Sequence, residues 1–292
     1  MIPEGSVRSA HFISQSDGTL LHVRQLGDAC NACVMIHGFG EGAYVWDHFA
    51  PHLSKKYRVF AVDLRGHGRS GWDSSGRYAL ETYLADVMHV VGELKLERFS
   101  LVGHSLGADV AIRMAAQWPG RVEAMVLVDY GLNTNALASE HIRAGFRAQF
   151  RPYRSTAEYA QQLQLSRPMA SPAVLEYIAG QAMRRREDGG YELRCDPALA
   201  ELEGMPKDTK LADLLGSITC PSLIVRGIGS AMLPKQSAEH TLTLLRNGRL
   251  KIVPASGHAV MSDNPAGFAT AVYPFLCESE DWPGASAIKA TP

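Results

Sequence analysis

Short, strongly apolar segments alternate along this chain with longer segments of helical periodicity. The apolar segments are rich in Val, Ile and Leu and lie at 20–26, 33–39, 57–64, 99–105, 124–130, 221–227 and 249–255. Most of them are apolar throughout rather than at every second residue. This is typical of strands buried on both faces, as in a parallel sheet covered by helices. The alternation therefore predicts an α/β fold with a mostly parallel central sheet flanked by helices.

Two of the intervening segments have clear helical patterns. Residues 79–94 carry apolar side chains at spacings of three and four, which is the pattern of a helix with one buried face. Residues 106–118 are rich in alanine and end at Pro119-Gly120, a pair that stops a helix. Both segments are long enough to connect parallel strands.

The alternation stops between Gly131 and Gly216. This stretch is rich in Ala, Gln, Arg and Glu, and it contains helix-like segments at 136–150, 155–166 and 172–186 but no segment that indicates a strand. The strand pattern resumes at Cys220-Pro221. We therefore expect a core formed by residues 1–130 and 217–292, interrupted by a helical cap, or lid, at 131–216.

Composition excludes several classes of protein. The chain has 292 residues and a net charge of −1, so it carries no basic surplus that would indicate a nucleic-acid partner. No apolar run approaches the roughly 18 residues of a membrane-spanning helix. The first residues, MIPEGSVRSAHF, lack the apolar stretch of a signal peptide. We expect a cytoplasmic protein, and the sequence does not indicate its oligomeric state.

Five scattered cysteines do not form a disulfide pattern. Cys30-Asn31-Ala32-Cys33 has the spacing of a zinc or redox motif, but a structural zinc site needs two further ligands, and no comparable cluster is evident. Cys33 also begins a predicted strand. We interpret these cysteines as ordinary core and loop residues and expect no metal and no cofactor.

The segment Gly103-His104-Ser105-Leu106-Gly107 lies where a predicted buried strand becomes a helix. A sharp turn at this point would expose the serine side chain and bring neighbouring backbone so close that glycine is needed on both sides. The N–H of Leu106 would then point into the same space as the serine oxygen, at the positive end of a helix. A serine placed in this way can attack a carbonyl carbon while nearby N–H groups bind the resulting oxyanion.

The segment 103–107 resembles the nucleophile elbow of the α/β-hydrolase family. Three further segments resemble that family in the expected order: HGFG at 37–40, DLRGHGRS at 63–70 and the Gly257-His258 pair after the last strand. The resemblance covers about residues 10–278. It implies the α/β-hydrolase fold, Ser105 as nucleophile, His258 as general base, and an oxyanion hole formed by the N–H groups of Phe39 and Leu106.

A catalytic triad also needs an acid that orients the histidine. The family usually takes it from the loop after the strand at 221–227, but here that loop contains neither Asp nor Glu, and Ser230 stands in its place. Either Ser230 marks an altered or inactive enzyme, or the acid follows another strand. Some relatives, such as the zearalenone-lactonase-like enzymes, carry it after the strand that precedes the cap. In this sequence that position is Asp129.

The serine argues against the dehalogenases and epoxide hydrolases of the family, which carry Asp in the elbow. Acyl transfer to water remains, and we expect a small, hydrophobic ester or lactone as substrate. The proposed cap is rich in apolar residues and would set specificity. Residues that we expect to line the substrate pocket are Gly38, Tyr130, Val260 and Met261.

Two alternatives stay open. Thioester hydrolysis or carbon–carbon bond hydrolysis uses the same serine elbow in this family. A non-catalytic ligand-binding protein on the same scaffold is the alternative from a different class, and the acid missing at position 230 supports it.

Overall fold

The computed structural model of the chain describes residues 9–202 and 210–278. The strands are β1 (Ser9–Ser14), β2 (Leu20–Leu26), β3 (Asn31–Ile36), β4 (Tyr57–Val62), β5 (Phe99–His104), β6 (Val122–Val128), β7 (Met183–Arg185), β8 (Tyr191–Leu193), β9 (Ser222–Gly227) and β10 (Gly248–Val253).

The helices are α1 (Ala50–Leu53), α2 (Leu80–Glu93), α3 (Leu106–Gln117), α4 (Ala136–Arg147), α5 (Thr156–Ser166), α6 (Pro172–Ala182), α7 (Leu211–Ser217), α8 (Lys235–Leu244), α9 (Val260–Asp263) and α10 (Pro265–Glu278). Two short 3₁₀ helices cover Ala43–Trp46 and Pro197–Glu201. Among the described residues, no helix has the length and apolar character needed to cross a bilayer.

Eight strands form one sheet in the order β1-β2-β4-β3-β5-β6-β9-β10. From β4 to β10 every neighbouring pair is parallel, whereas β2 runs antiparallel to β4 and β1 antiparallel to β2. The predicted α/β fold with a mostly parallel sheet is therefore confirmed. The carboxyl ends of β3, β5, β6, β9 and β10 meet at one edge, where ligands of open α/β sheets bind.

The central strands are apolar throughout because both faces of the sheet are covered. In β3 the side chains of Cys33 and Met35 join one core cluster, together with residues of α1 and α10. Val34 and Ile36 point to the opposite face and join a second cluster with residues of α2 and α3. All four side chains are fully buried. This two-sided burial is the reason that the sequence pattern lacks polar alternation.

Residues 131–216, which we call the insert, connect β6 to the second half of the sheet. Its helices α4, α5 and α6 begin after Asn135, Ser155 and Ser171, whose side chains accept hydrogen bonds from backbone N–H groups of the first turn. Such capping residues mark helix starts in a sequence, and the starts agree with the helix-like segments that the sequence indicates.

The expectation that the insert contains no strand is wrong. The helix predicted at 172–186 ends at Ala182, and the chain continues into an antiparallel hairpin of β7 and β8. Arg184 and Glu192 form a cross-strand ion pair, and Gly189 turns the chain with φ +86°. Strands of three residues are too short to show an apolar alternation, so sequence periodicity does not reveal them.

Candidate active site

The turn between β5 and α3 has the geometry of a strained elbow. Ser105 has a positive φ of 49°, which is unusual for a residue with a side chain. A Cβ atom at Gly103 would lie 2.3 Å from the carbonyl oxygen of Gly107, and one at Gly107 would lie 2.2 Å from that of Ile36. Glycine is therefore required at both positions, as the sequence predicted, and Ser105 is left half-buried at the sheet edge.

Leu106 and Phe39 are the two residues whose N–H groups were predicted to form an oxyanion hole, and both lie beside this turn. Leu106 is the first residue of α3, so its N–H belongs to the group of helix-start donors without an intrahelical partner. Phe39 lies in the loop after β3, and its ring packs edge-on against Phe146 of α4, with 4.8 Å between ring centroids. The loop thus contacts the insert.

Asp129 and His258 are joined at the end of β6. The Asp129 carboxylate lies 2.8 Å from Nδ1 of His258 and is completely buried. It also accepts a hydrogen bond of 2.5 Å from the hydroxyl of Ser230 and one of 3.2 Å from the N–H of Gly227. Asp129 has a positive φ of 50°, so the chain turns sharply at this residue. The carboxylate therefore holds the His258 ring in one orientation.

Burial lowers the pKa of His258 below the ordinary histidine value of 6.5, and the neighbouring His104 lowers it further. The hydrogen bond to Asp129 acts in the opposite direction, because it favours the protonated ring. The net effect is a ring that is neutral at physiological pH, which is the form that can accept a proton from a serine.

The structure does not join every predicted member of the site by a hydrogen bond. Ser105 binds the backbone of β6 through its own N–H, which donates to the carbonyl of Val128 at 3.1 Å. Within the described residues, the Ser105 hydroxyl and the His258 ring make no hydrogen bond with each other. This contact is often long in unliganded enzymes and shortens when substrate binds.

Three charged residues close to His258 were not predicted as part of the site. His104 contacts the His258 ring, with 4.7 Å between centroids, and its Nδ1 lies 2.8 Å from Glu41. Glu41 in turn accepts a hydrogen bond of 2.9 Å from Arg167 of the insert. Nothing in the local sequence pairs His104 with Glu41, which lies 63 positions away along the chain.

The predicted pocket residues lie around this edge in different environments. Gly38 is buried beside His104, and Tyr130 is half-buried and donates a hydrogen bond to Asp109 at 2.6 Å. Val260 and Met261 are almost fully buried in α9, where they belong to the core cluster that includes α10. Their contact with a substrate stays a prediction.

Two other carboxylates, Asp63 and Asp263, have structural partners. Asp63 accepts hydrogen bonds from His22 and from the N–H groups of Ala43 and Arg69, so it organises the loop after β4. Asp263 accepts a hydrogen bond of 2.8 Å from the N–H of Gly257. No group of three or more His, Cys, Asp or Glu side chains in the described part of the chain is arranged to hold a metal ion.

A family model described as the alpha/beta hydrolase fold matches residues 31–265, which is most of the chain. The protein therefore belongs to the α/β-hydrolase family. This membership agrees with the sheet order, with the elbow at Ser105 and with the histidine that follows β10.

Several known proteins resemble this chain over nearly its whole length. A pimeloyl-acyl-carrier-protein methyl ester esterase of Nitrosomonas europaea is 28% identical over 267 residues, which cover 86% of this chain and 97% of that protein. A 2-hydroxy-6-oxononadienedioate/2-hydroxy-6-oxononatrienedioate hydrolase of Klebsiella pneumoniae is 26% identical over 292 residues, 95% of this chain and 99% of that protein. The crystal structure of an alpha/beta hydrolase from Novosphingobium aromaticivorans superposes with a TM-score of 0.83 at 27% identity, covering 92% and 97% of the two chains.

Homologues with such names support a hydrolase as the general class of this protein.

Proposed function

We propose that this protein is a serine hydrolase that transfers an acyl group to water through an acyl-enzyme on Ser105. The observation that carries the proposal is the 2.8 Å contact between Asp129 and Nδ1 of His258 at the sheet edge that also carries the elbow. A buried carboxylate on Nδ1 leaves Nε2 as the basic nitrogen, which is the arrangement of a Ser-His-Asp triad. Asp129 replaces the acid that is missing at position 230.

In the first half of the reaction, Nε2 of His258 takes the proton of the Ser105 hydroxyl while Oγ attacks the carbonyl carbon of the substrate. The carbonyl oxygen becomes an oxyanion, which accepts hydrogen bonds from the N–H groups of Phe39 and Leu106. The bond from the carbonyl carbon to the leaving oxygen then breaks. His258 returns its proton to that oxygen, and the alcohol is released.

In the second half, water takes the place of the alcohol. His258 accepts a proton from the water, whose oxygen attacks the acyl carbon and forms a second oxyanion in the same hole. The bond to Oγ of Ser105 breaks as His258 returns the proton to the serine. A carboxylic acid leaves, and the enzyme is restored. When the substrate is a lactone, the leaving alcohol remains attached to the acyl group, and a single hydroxy acid leaves at the end of the second half.

Apolar side chains near the elbow support the proposal of a substrate with an apolar acyl or alcohol group. Phe39, Phe146 and Phe150 pack edge-on in a row, with centroid distances of 4.8 and 4.9 Å, and Phe39 and Phe150 are only partly buried. Phe146 lies in α4 and Phe150 lies in the loop that follows this helix, so both belong to the insert. We therefore propose that the insert acts as a cap and contributes the apolar wall that selects a moderately hydrophobic ester or lactone.

Hydrolysis of a carbon–carbon bond is the second candidate function. The named substrate of the Klebsiella hydrolase is an oxo dicarboxylate rather than an ester. The same serine, base and oxyanion hole serve both reactions, since each passes through attack on a carbonyl carbon. The two candidates differ in the leaving atom, which is oxygen in an ester and carbon in a ketone.

Labelling with a small fluorophosphonate tests the activated serine directly. The reagent loses fluoride when an activated serine attacks phosphorus, so intact-mass measurement should show one adduct, and peptide mapping should assign it to Ser105. Ser105→Ala should abolish the adduct. Ser75→Ala, a change in an exposed loop, is the matched control and should be labelled like the unaltered protein.

Absence of an adduct on the folded protein would contradict the proposal and favour a non-catalytic ligand-binding role. If labelling succeeds, turnover of matched series of alkyl esters, lactones, thioesters and 1,5-diketones separates the remaining candidates. We expect the highest kcat/KM for an ester or lactone of intermediate chain length. A marked preference for the diketones would favour carbon–carbon hydrolysis instead.

A further inference from the structure

A chain of charged side chains runs from the insert to the base of the proposed triad. Arg167 donates to Oε1 of Glu41 at 2.9 Å, and Oε2 of Glu41 lies 2.8 Å from Nδ1 of His104. Nε2 of His104 lies 3.0 Å from the carbonyl oxygen of His258. His104 thus bridges a carboxylate and the main chain of the residue that would act as general base.

The partners of His104 determine its protonation state. A neutral imidazole has one N–H donor and one nitrogen that accepts. Here both ring nitrogens face oxygen acceptors, a carboxylate and a backbone carbonyl. Each contact is a hydrogen bond only if the nitrogen carries a hydrogen. Both contacts are therefore satisfied by the imidazolium and not by either neutral tautomer.

Glu41 has the surroundings of an ionised carboxylate. It accepts hydrogen bonds from Arg167 and from the N–H of Gly38 at 3.0 Å, in addition to the contact with His104. Burial by itself would raise the pKa of Glu41, but His104 and Arg167 together hold it well below its usual range. A carboxylate between two cations compensates both, so that a charged histidine can lie in an almost fully buried position.

The backbone around this pair is adapted to it. A Cβ atom at Gly38 would lie 2.6 Å from Nδ1 of His104 and 3.1 Å from Oε2 of Glu41. Any other residue at position 38 would push the two groups apart. Gly38, whose place in the substrate pocket stays a prediction, leaves the space that the Glu41–His104 contact needs.

We propose that His104 is a positioning residue held as an imidazolium by Glu41, which fixes the main chain of His258 and keeps the His258 ring in the neutral form that accepts a proton. The inference rests on the proposed function, because it assigns His104 a role in the reaction of Ser105 and His258. Arg167 extends the network to the insert.

The charge of His104 acts on His258 through a short distance. The two rings are 4.7 Å apart and tilted by 46°. Burial alone would lower the pKa of His104, but the charge and hydrogen bond of Glu41 raise it above the ordinary value. A positive ring at this distance opposes a second positive charge on His258. A protonated His258 would for the same reason return its proton readily to a leaving group.

Other titratable and charged groups also face the histidine pair. They are Asp129 at the end of β6, Glu41 and His37 after β3, Asp263 of α9 and Arg167 of the insert. Asp129 favours a proton on either histidine, whereas the buried His37 and His104 disfavour each other's charge. Among the residues that the structure describes, only His104 combines ring contact with His258 and a hydrogen bond to its main chain.

NMR of protein labelled with ¹⁵N in the histidine rings tests the proposal without any turnover. His104→Gln identifies the His104 signals by their disappearance. In the unaltered protein we expect both His104 nitrogens to remain protonated at pH values above the ordinary histidine pKa of 6.5. In Glu41→Gln the same ring should lose a proton in the neutral range. A His104 ring that is neutral at pH 7 in the unaltered protein would overturn the proposal.

The same spectra report the effect on His258. In His104→Gln the titration midpoint of His258 should rise by about one pH unit, which is the smaller end of the shift expected from a charge within 6 Å. The acidic limb of the pH profile of kcat/KM should move to higher pH by the same amount. His240→Gln, on the exposed face of α8, is the control and should leave both unchanged. An unchanged His258 midpoint in folded His104→Gln would contradict the charge effect.

The two proposals fail in different ways. A protein without fluorophosphonate labelling, but with a protonated His104, would contradict the hydrolase and leave the charge assignment intact. A labelled, active enzyme with a neutral His104 would support the hydrolase and overturn the inference. If His104→Gln does not fold, through-bond assignment of the histidine ring signals in the unaltered protein identifies His104 and still decides its charge.

Discussion

The hydroxyl of Ser230 donates a hydrogen bond of 2.5 Å to the carboxylate of Asp129. Ser230 stands in the loop after β9, where the family resemblance led us to expect the acid of a triad, and Asp129 directly follows the neighbouring strand β6. The backbone N–H groups of Met232 and Leu233 each lie 3.2 Å from the Ser230 hydroxyl oxygen, which accepts from them. Ser230 therefore holds the Asp129 carboxylate in place.

Asp129→Asn should lower kcat by about 10³–10⁴-fold with little change in the fold. One carboxylate oxygen becomes an NH₂ group, which would face either the N–H of Gly227 or Nδ1 of His258. The second arrangement forces the His258 tautomer that cannot accept the serine proton. Steady-state kinetics on the best substrate measure the loss. Asp213→Asn, an exposed change in α7, is the control and should keep full activity.

Transplanting the acid tests the relation between positions 129 and 230. Asp129→Ala should be nearly inactive, and the double variant Asp129→Ala/Ser230→Asp should have a kcat at least about tenfold higher than that single variant. The reason is that oxygens at the two positions are in hydrogen-bond contact, so a carboxylate at either strand end can stabilise the charged His258 ring. Ser230→Ala alone should lower the free energy of unfolding by about 1–2 kcal/mol, because it removes a donor from a buried carboxylate. Kinetics and urea unfolding measure the two effects. Equal activity of the single alanine variant and the double variant would contradict the transplant.

Gly107→Ala should destabilise the protein by about 2–3 kcal/mol. Its new methyl group would lie 2.2 Å from the carbonyl oxygen of Ile36, which belongs to the central strand β3 and has little freedom to move. Gly145→Ala in α4 is the matched control. A methyl group there meets nothing within 4 Å, so we expect it to stabilise the protein by about 0.5–1 kcal/mol. Urea unfolding of both variants checks the difference, and equal effects would contradict the elbow packing.

The pH dependence of stability should reflect His67, whose ring is completely buried and whose Nδ1 hydrogen bonds to the carbonyl of Arg65. Burial and the neighbouring His37 lower the pKa of His67 from 6.5 to about 3. Between these two values the unfolded chain binds a proton that the folded protein does not. The free energy of unfolding should therefore fall as the pH falls through this range, with about 1.4 kcal/mol per pH unit from this ring.

His67→Asn should reduce that slope, because its amide can still donate to Arg65 but takes up no proton. His240→Asn controls for the loss of an exposed histidine. Urea unfolding at a series of pH values measures the slope. If His67→Asn kept the full slope of the unaltered protein, the pKa assignment for His67 would be wrong.

The central sheet and the elbow are predictable from the order of residues alone. The continuous apolar runs of β3, β5 and β6 indicate burial on both faces, and the helical segments between them provide it by covering both sides of a parallel sheet. Gly103 and Gly107 flank Ser105 because their backbones approach neighbouring carbonyl oxygens too closely for a side chain. These constraints are local or periodic, so they are visible in the order of residues.

Tertiary structure decided the electrostatic environment. The pairing of β6 with β9 brings Ser230 to Asp129, and the approach of the loop after β3 to the end of β5 brings Glu41 to His104. These contacts join residues 101 and 63 positions apart, and no periodicity encodes them. The β7–β8 hairpin likewise pairs Met183 with Leu193 and Arg184 with Glu192 across strands that are too short for a periodic pattern to reveal. The spacing of buried apolar residues is visible in the sequence, whereas the charged neighbours of each buried group depend on which distant segments fold against it.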